Sequence, residues 1–243
     1  EFLQDLIRTV VDSDADLGIA FDGDSDRIGA VDNSGRIIWG DELMILYARA
    51  MLKDYPGATV VAEVKCSKNL YDDIEKLGGQ AIMWKAGHSL LKAKMKETGA
   101  LLGGEMSGHI YFADRYYGFD DAFYAGARLI EICADSEVPL SQMLNDLPVT
   151  YSTPEIRRDC PEELKFKVVK RAQEYFQSNY KAVTIDGVRV LFEDGWGLVR
   201  ASNTQAILVL RFEAESEDRL NEIRSLIETK LDEFMNEETS GVG

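Results

Sequence analysis

The run FDGDSDRIG, residues 21–29, places Asp22, Asp24 and Asp26 at alternate positions, behind an apolar stretch and directly before Arg27. Three carboxylates this close repel one another, so their spacing asks for a compensating positive charge. Hard oxygen donors at i, i+2 and i+4 on a tight loop suit Mg²⁺ or Ca²⁺. An EF-hand is excluded, because its loop needs Gly at the sixth position and Glu at the twelfth, where this chain has Arg27 and Asn33. A plain solvated acidic turn is the bland alternative. The apolar strand running straight into the carboxylates argues against it.

Two further stretches carry groups of the right kind. GEMSGH, residues 104–109, offers Glu105 and Ser107 as hydrogen-bond partners for vicinal hydroxyls and His109 as a general acid or base. Gly104 and Gly108 let backbone approach a ligand closely; an ordinary glycine turn is the alternative. In RASNTQ, residues 200–205, Arg200 can fork onto a phosphate while Ser202, Asn203, Thr204 and their backbone N–H groups form an anion cradle. A polar hairpin turn with a surface arginine reads equally well there. His88 and His109 are the only two histidines and both follow loop-forming glycines, while Lys65 and Lys85 each follow an apolar strand directly. Asp120 and Asp121 read as caps of the helix that follows them. A phosphatase of the haloacid dehalogenase type, with Asp22 as nucleophile, is a further reading of the acidic loop; Asp26 stands where that pattern usually has Thr or Val.

These loops need elements to aim them. Apolar spacing predicts a helix over 2–12, beginning with Phe2, then a buried strand over 15–21, the acidic loop and a hairpin of IGAVD with RIIW. Residues 1–40 thus read as the back end of an α/β domain. From Asp41 to residue 147, helices alternate with short apolar strands (ATVVAEV, QAIMW, ALLGG), which implies an α/β domain with a mainly parallel sheet. Ser67 and Ser89 are the expected caps of two of its helices. KCS, KAGHS and GGEMSGH follow its strands at their carboxyl ends, where open α/β sheets bind ligands. From 148 to 243, strands neighbour strands between two helices, a small α+β domain with an antiparallel sheet, and the tail NEETSGVG reads as disordered.

A formal charge of −16 over 243 residues argues against nucleic acid or an anionic membrane as partner. No stretch is apolar enough to span a bilayer, and EFLQDLIRTV is not a signal peptide. Cys66, Cys133 and Cys160 form no C-x-x-C pair, which suits a reducing cytoplasm better than disulfides or a zinc site. Without an initiator Met, the chain is expected to be a piece of something longer.

Taken together and in order, DGDSDR, GEMSGH and RASNTQ resemble the α-D-phosphohexomutases, most closely the phosphomannomutase/phosphoglucomutase branch. The resemblance implies the end of that family's second domain, its whole third domain and its fourth. It implies interconversion of hexose 1-phosphate and hexose 6-phosphate through a phosphoserine and a 1,6-bisphosphate. Asp22, Asp24 and Asp26 would hold Mg²⁺, and Arg27 would lie by the transferring phosphate. Gly87, Glu105 and Ser107 would contact the sugar, and Arg200, Ser202, Asn203 and Thr204 the non-transferring phosphate. Lys65, His88 and His109 match positions near the reacting hydroxyl, without deciding which moves the proton. The family's Ser-His-Asn-Pro segment is absent, so the chain is expected to be inactive without further domains of the same polypeptide. Ala86 replaces a frequent Thr and Ala206 a usual Pro, while Met106 and SNT favour the mannose/glucose branch. A non-catalytic module that binds a sugar phosphate or a metal is the alternative from another functional class.

Overall fold

Helical spacing of apolar residues produces α1 (Gln4–Asp12), which packs on a three-stranded antiparallel sheet of β1 (Leu17–Phe21), β2 (Ile28–Asp32) and β3 (Ile37–Ile38). The computed structural model describes residues 3–240, so Phe2 lies outside the described residues. The expectation of a buried β1 is corrected. Phe21 is 38% exposed and Leu17 and Ile19 are half-buried, because β1 pairs with β2 alone among the described strands.

The chain divides into two units between Leu147 and Pro148. The first is centred on a sheet ordered β5 (Gln80–Trp84), β4 (Thr59–Glu63), β6 (Leu102–Gly104), β7 (Ile110–Phe112). β4, β5 and β6 run parallel; β7, which the sequence reading did not anticipate, returns antiparallel to β6. Alternation along β4 assigns its faces. Val60 and Ala62 join the core under α2 (Gly40–Asp54), α3 (Lys68–Lys76) and α5 (Ala122–Ala134), while Val61 packs with Leu91 and Met95 of α4 (His88–Thr98). The connection from β4 moves to β5 on one side, and β6 returns on the other. Helices therefore cover opposite faces, and the strand order reverses at the carboxyl end of β4, where open α/β sheets place ligands.

Ser67 caps α3 by accepting from the Asn69 N–H. Ser89 does not cap α4, which already begins at His88, because Gly87 at φ 128° makes the turn instead. Asp121 caps α5 through the Tyr124 N–H, whereas Asp120 does not cap and faces His109.

The second unit is an antiparallel sheet in the order β10 (Lys181–Val183), β11 (Val188–Phe192), β12 (Gly195–Ala201), β13 (Ile207–Ala214), β8 (Tyr151–Ser152). β9 (Ile156–Asp159), not anticipated, also pairs with β13. α6 (Glu162–Asn179) and α7 (Glu217–Ser240) close one face, with Val168, Phe176, Ile227 and Leu231 over Val190, Val199 and Leu210. On the other face Arg189 stacks 3.6 Å over the buried Trp196, whose indole donates to Glu213 at 2.8 Å. The tail expectation is corrected as well. α7 continues to Ser240, with Arg171 of α6 holding Glu238 at 3.2 Å and also Glu237, while Gly241–Gly243 lie outside the described residues. All three cysteines are free thiols.

Candidate active site

The loops after β4, β5 and β6 meet at one end of the first unit because parallel strands deliver their carboxyl ends to one side. The acidic β1–β2 loop is tied by backbone to the loop after β6, where Ile28 N–H donates to Gly108 O at 3.1 Å, and to the start of α5, where Ala122 N–H donates to Ser25 O at 3.1 Å. Gly108 is required at this junction. Its φ is +95°, and a Cβ there would stand 2.3 Å from the Ile28 carbonyl oxygen. Gly40 does the same for α2, where a Cβ would stand 2.4 Å from Glu105 O.

Ser25 at φ 61° bends the acidic loop so that oxygen atoms of Asp22, Asp24 and Asp26 all lie within 4.8 Å of one another. Asp22 Oδ1 accepts from the backbone N–H groups of Asp26 and Arg27, each at 3.2 Å. The two end carboxylates therefore titrate in opposite directions. Burial works against Asp22, but the Arg27 N–H, the Asp26 carboxyl and the Arg27 charge hold it below the ordinary value. Burial pushes Asp26 up; His109 opposes that, and the charges of Asp22, Asp24 and Asp120 add to the rise. Asp26 Oδ1 is buried with no hydrogen-bond donor. Converging, under-compensated carboxylate oxygens of this kind can hold a hard divalent cation.

Arg27 reaches across this loop. Its Nε donates to His109 Nε2 at 3.0 Å and lies 3.7 Å from Asp22 and 3.9 Å from Asp26. His109 is buried, and its Nδ1 stands 3.1 Å from Asp120 Oδ1. Burial alone would lower the His109 pKa; the hydrogen bond and charge of Asp120, with Glu105 and Asp26, outweigh it and raise the value. The His88 ring, more exposed, stacks on His109 at 5.9 Å between centroids. Asp120 also faces His88 Nδ1 at 3.9 Å and Lys92 Nζ at 4.0 Å. A second oxygen–nitrogen cluster, Asp26, His109 and Asp120, thus shares Asp26 with the first.

The 104–109 loop closes on itself, with Glu105 N–H donating to His109 O at 2.9 Å and Gly108 N–H to Glu105 O at 3.1 Å. Glu105 is buried and accepts from the Tyr111 hydroxyl at 3.4 Å, while Ser107 projects into solvent. Beneath the loop, the buried Glu63 accepts from Met106 N–H at 3.0 Å and pairs with Lys65 Nζ at 3.5 Å. Gly87 and His88 open α4 beside this group. Lys85 is exposed.

The second unit holds the remaining candidates. Arg200, buried, pairs through Nε with Asp186 at 2.9 Å. Ser202 is buried and turned inward: its N–H donates to Ile207 O at 3.0 Å, and its hydroxyl accepts from Thr204 N–H at 3.3 Å and Gln205 N–H at 3.2 Å. Of the N–H groups expected in the cradle, those of Ser202 and Thr204 bond within the turn, to Ile207 O and to the Ser202 hydroxyl. The side chains of Asn203 and Thr204 point outward. Lys165, fully buried on α6, donates to Gln205 O at 3.0 Å and pins the turn from behind.

Sequence reasoning missed Asp120, Glu63, Asp186 and Lys165. A carboxylate inside the apolar run VVAEV was a legible signal for Glu63, because buried acids need partners. Asp120 gave none, since a pair of aspartates before a helix reads as capping. Lys165 lies in a polar stretch of α6, and only the fold shows that it is covered.

The geometry agrees with what the chain is similar to. Residues 39–151 match the model for phosphoglucomutase/phosphomannomutase alpha/beta/alpha domain III, and residues 155–230 match that family's C-terminal domain. A phosphomannomutase/phosphoglucomutase of Pseudomonas putida is 49% identical over 234 residues, covering 95% of this chain and 50% of that protein. A phosphoglucomutase of Neisseria meningitidis is 47% identical over 237 residues, covering 96% of this chain and 51% of that protein. The crystal structure of a phosphoglucomutase/phosphomannomutase family protein from Burkholderia thailandensis superposes with a TM-score of 0.87 at 44% identity, covering 96% of this chain and 50% of that one. The chain spans about half the length of the relatives it matches. With both family domains recognised in order and the crystal structure superposing along nearly its whole length, the chain belongs to the phosphoglucomutase/phosphomannomutase family.

Proposed function

We propose that this chain supplies the metal-binding, sugar-binding and distal phosphate-binding parts of a Mg²⁺-dependent phosphohexomutase that interconverts the 1- and 6-phosphates of mannose or glucose. The observation that carries the reading is the convergence of Asp22, Asp24, Asp26 and Arg27 with His109, which ends the 104–109 loop carrying Glu105 and Ser107. Three carboxylates and one arginine give a donor set for a hard cation and a fork for a phosphoryl group, as phosphoryl transfer demands. The buried, donor-less Asp26 Oδ1 fits a bound cation. When bound at Asp22, Asp24 and Asp26, Mg²⁺ supplies neutralisation of charge on the transferring group.

Each of the chain's own residues has a task in this reading. Arg27 turns its outer Nη pair toward the transferring phosphate, because its Nε is committed to His109. Glu105 and Ser107 bind vicinal sugar hydroxyls, and Gly87 allows backbone to approach the ring. Arg200 and the outward side chains of Asn203 and Thr204, on the turn that Ser202 braces, bind the phosphate that does not transfer. The sugar hydroxyl that attacks the phosphoserine loses its proton to Lys65, His88 or His109. The phosphoserine segment is not in these 243 residues, so the chain alone is inactive. Among the described residues no helix is long and apolar enough to cross a membrane, and the free thiols fit a cytoplasmic protein acting on small phosphosugars.

The test is a coupled assay of glucose 1-phosphate conversion to glucose 6-phosphate, with the protein extended through its upstream domains. Turnover that needs Mg²⁺ and is lost from the 243-residue chain is the expected result. No turnover of either hexose phosphate by the extended protein would overturn the reading.

A further inference from the structure

We infer that Asp120 is a positioning residue that fixes the tautomer of His109 and, through it, the direction of Arg27. The inference rests on the reading above only in that Arg27 and His109 face the reacting group; the contacts themselves do not depend on it.

His109 has partners at both ring nitrogens: Arg27 Nε at 3.0 Å from Nε2, and at Nδ1 Asp120 Oδ1 at hydrogen-bond distance, 3.1 Å, with Asp26 Oδ2 farther off at 3.7 Å. A guanidinium has donors only, so Nε2 must offer its lone pair. The ring proton is then on Nδ1, where it donates to a carboxylate that can only accept. The neutral Nδ1–H ring is the one state that satisfies both contacts. Moving the proton to Nε2 would set two N–H groups against each other and expel Arg27 from this contact.

Arg27 needs the bare Nε2 and Asp120 supplies the acceptor within hydrogen-bond distance that holds the proton on Nδ1. The surroundings hold that carboxylate firmly. Asp120 forms an antiparallel bridge with Tyr111, its neighbour Asp121 caps α5, and Ala122 N–H is bonded to Ser25 O. Its side chain is only 12% exposed, and its second oxygen faces His88 and Lys92 at 3.9 and 4.0 Å. One side chain thus joins the first turns of α4, the 104–109 loop and, through His109, the acidic loop.

Selective ¹⁵N-histidine labelling of the 243-residue chain reads the tautomer directly, since there are only two histidines and His88→Ala assigns the signals. In long-range ¹H–¹⁵N spectra at alkaline pH, where the ring is neutral, His109 should show a protonated Nδ1 and a bare Nε2. Asp120→Asn, whose amide oxygen still accepts, should keep that pattern, and Asp120→Ala should lose it. A wild-type ring protonated on Nε2 overturns the inference with no variant needed, as does an unchanged tautomer in a folded Asp120→Ala. In the extended protein, Asp120→Ala should lower kcat at least about tenfold with KM changed less than threefold, and Asp120→Asn should restore part of it. Equal loss in both variants would reduce Asp120 to a structural role. Failure of the wild-type extended protein to turn over hexose phosphate would sink the functional reading, while the spectra would still decide the tautomer.

Discussion

The acidic loop of the first unit and the Ser202–Gln205 turn of the second differ in where their support comes from. Arg27 is anchored to His109 across 82 residues of chain, and the loop backbone is bonded to Gly108 and Ala122. The Ser202 hydroxyl, by contrast, is bonded two and three residues away, with Lys165 as one brace from α6. The first arrangement concentrates like charges that no local segment could hold alone, so it borrows partners from several loops. The second organises neutral N–H groups, which a single turn can satisfy by itself. A site of the first kind should be vulnerable at residues far from it in sequence, and one of the second kind mainly at its own.

The largest effect that could break this contrast is at Gly108. Gly108→Ala combines a left-handed φ with a Cβ 2.3 Å from a backbone oxygen, and should cost at least about 3 kcal/mol. Denaturant unfolding of the whole chain, followed through near-UV circular dichroism, checks it. An undisturbed midpoint would mean that the two loops are not locked together there.

Next is Lys165→Met, which keeps the aliphatic stem but removes the bond to Gln205 O. About 1–2 kcal/mol should be lost, at the lower end for a charged donor because Ile207 N–H still satisfies that carbonyl. If the variant unfolds like wild type and binds phosphate equally well by calorimetry, the turn is fully self-sufficient and the contrast sharpens.

Asp121→Ala removes an N-cap and should cost about 1 kcal/mol. The Tyr116 hydroxyl, bonded at 2.6 Å, and the Tyr124 N–H depress the Asp121 pKa below the ordinary 3.8. A depressed folded pKa means stability that is fully present above the ordinary value and lost as pH falls below it. Wild type should therefore approach the variant in stability on acidification below that value, and a constant gap between the two curves would remove Asp121 as the source.

The smallest effect is expected at Asn203. Asn203→Ala lies on an exposed side chain and should shift stability by less than about 0.5 kcal/mol, while weakening hexose-phosphate affinity in the extended protein. A large stability loss would show that the turn depends on its outward side chains after all.

Legibility in the sequence followed the same division. The metal-type spacing of Asp22, Asp24 and Asp26, the Ser67 cap and the alternating strands of the first unit could be read because their determinants are local. β7 and β9 could not be, since each short strand is defined by its pairing, with β6 and β13 respectively, more than by its own pattern. Ser89 misled because a glycine with positive φ one residue before the helix set the start.

By itself, the sequence determined the residue types and short spacings from which cation, sugar and phosphate sites were expected, because ligand chemistry depends on both. Only the tertiary structure decided where those groups stand and which partners they meet. It turned Asp120 from a cap into the partner of His109 and set Glu63 beneath the Met106 backbone. It also folded the Ser202 N–H inward and buried Lys165 behind the turn. The physical reason is that a hydrogen bond's direction and a carboxylate's charge balance are fixed by neighbours that lie far away along the chain.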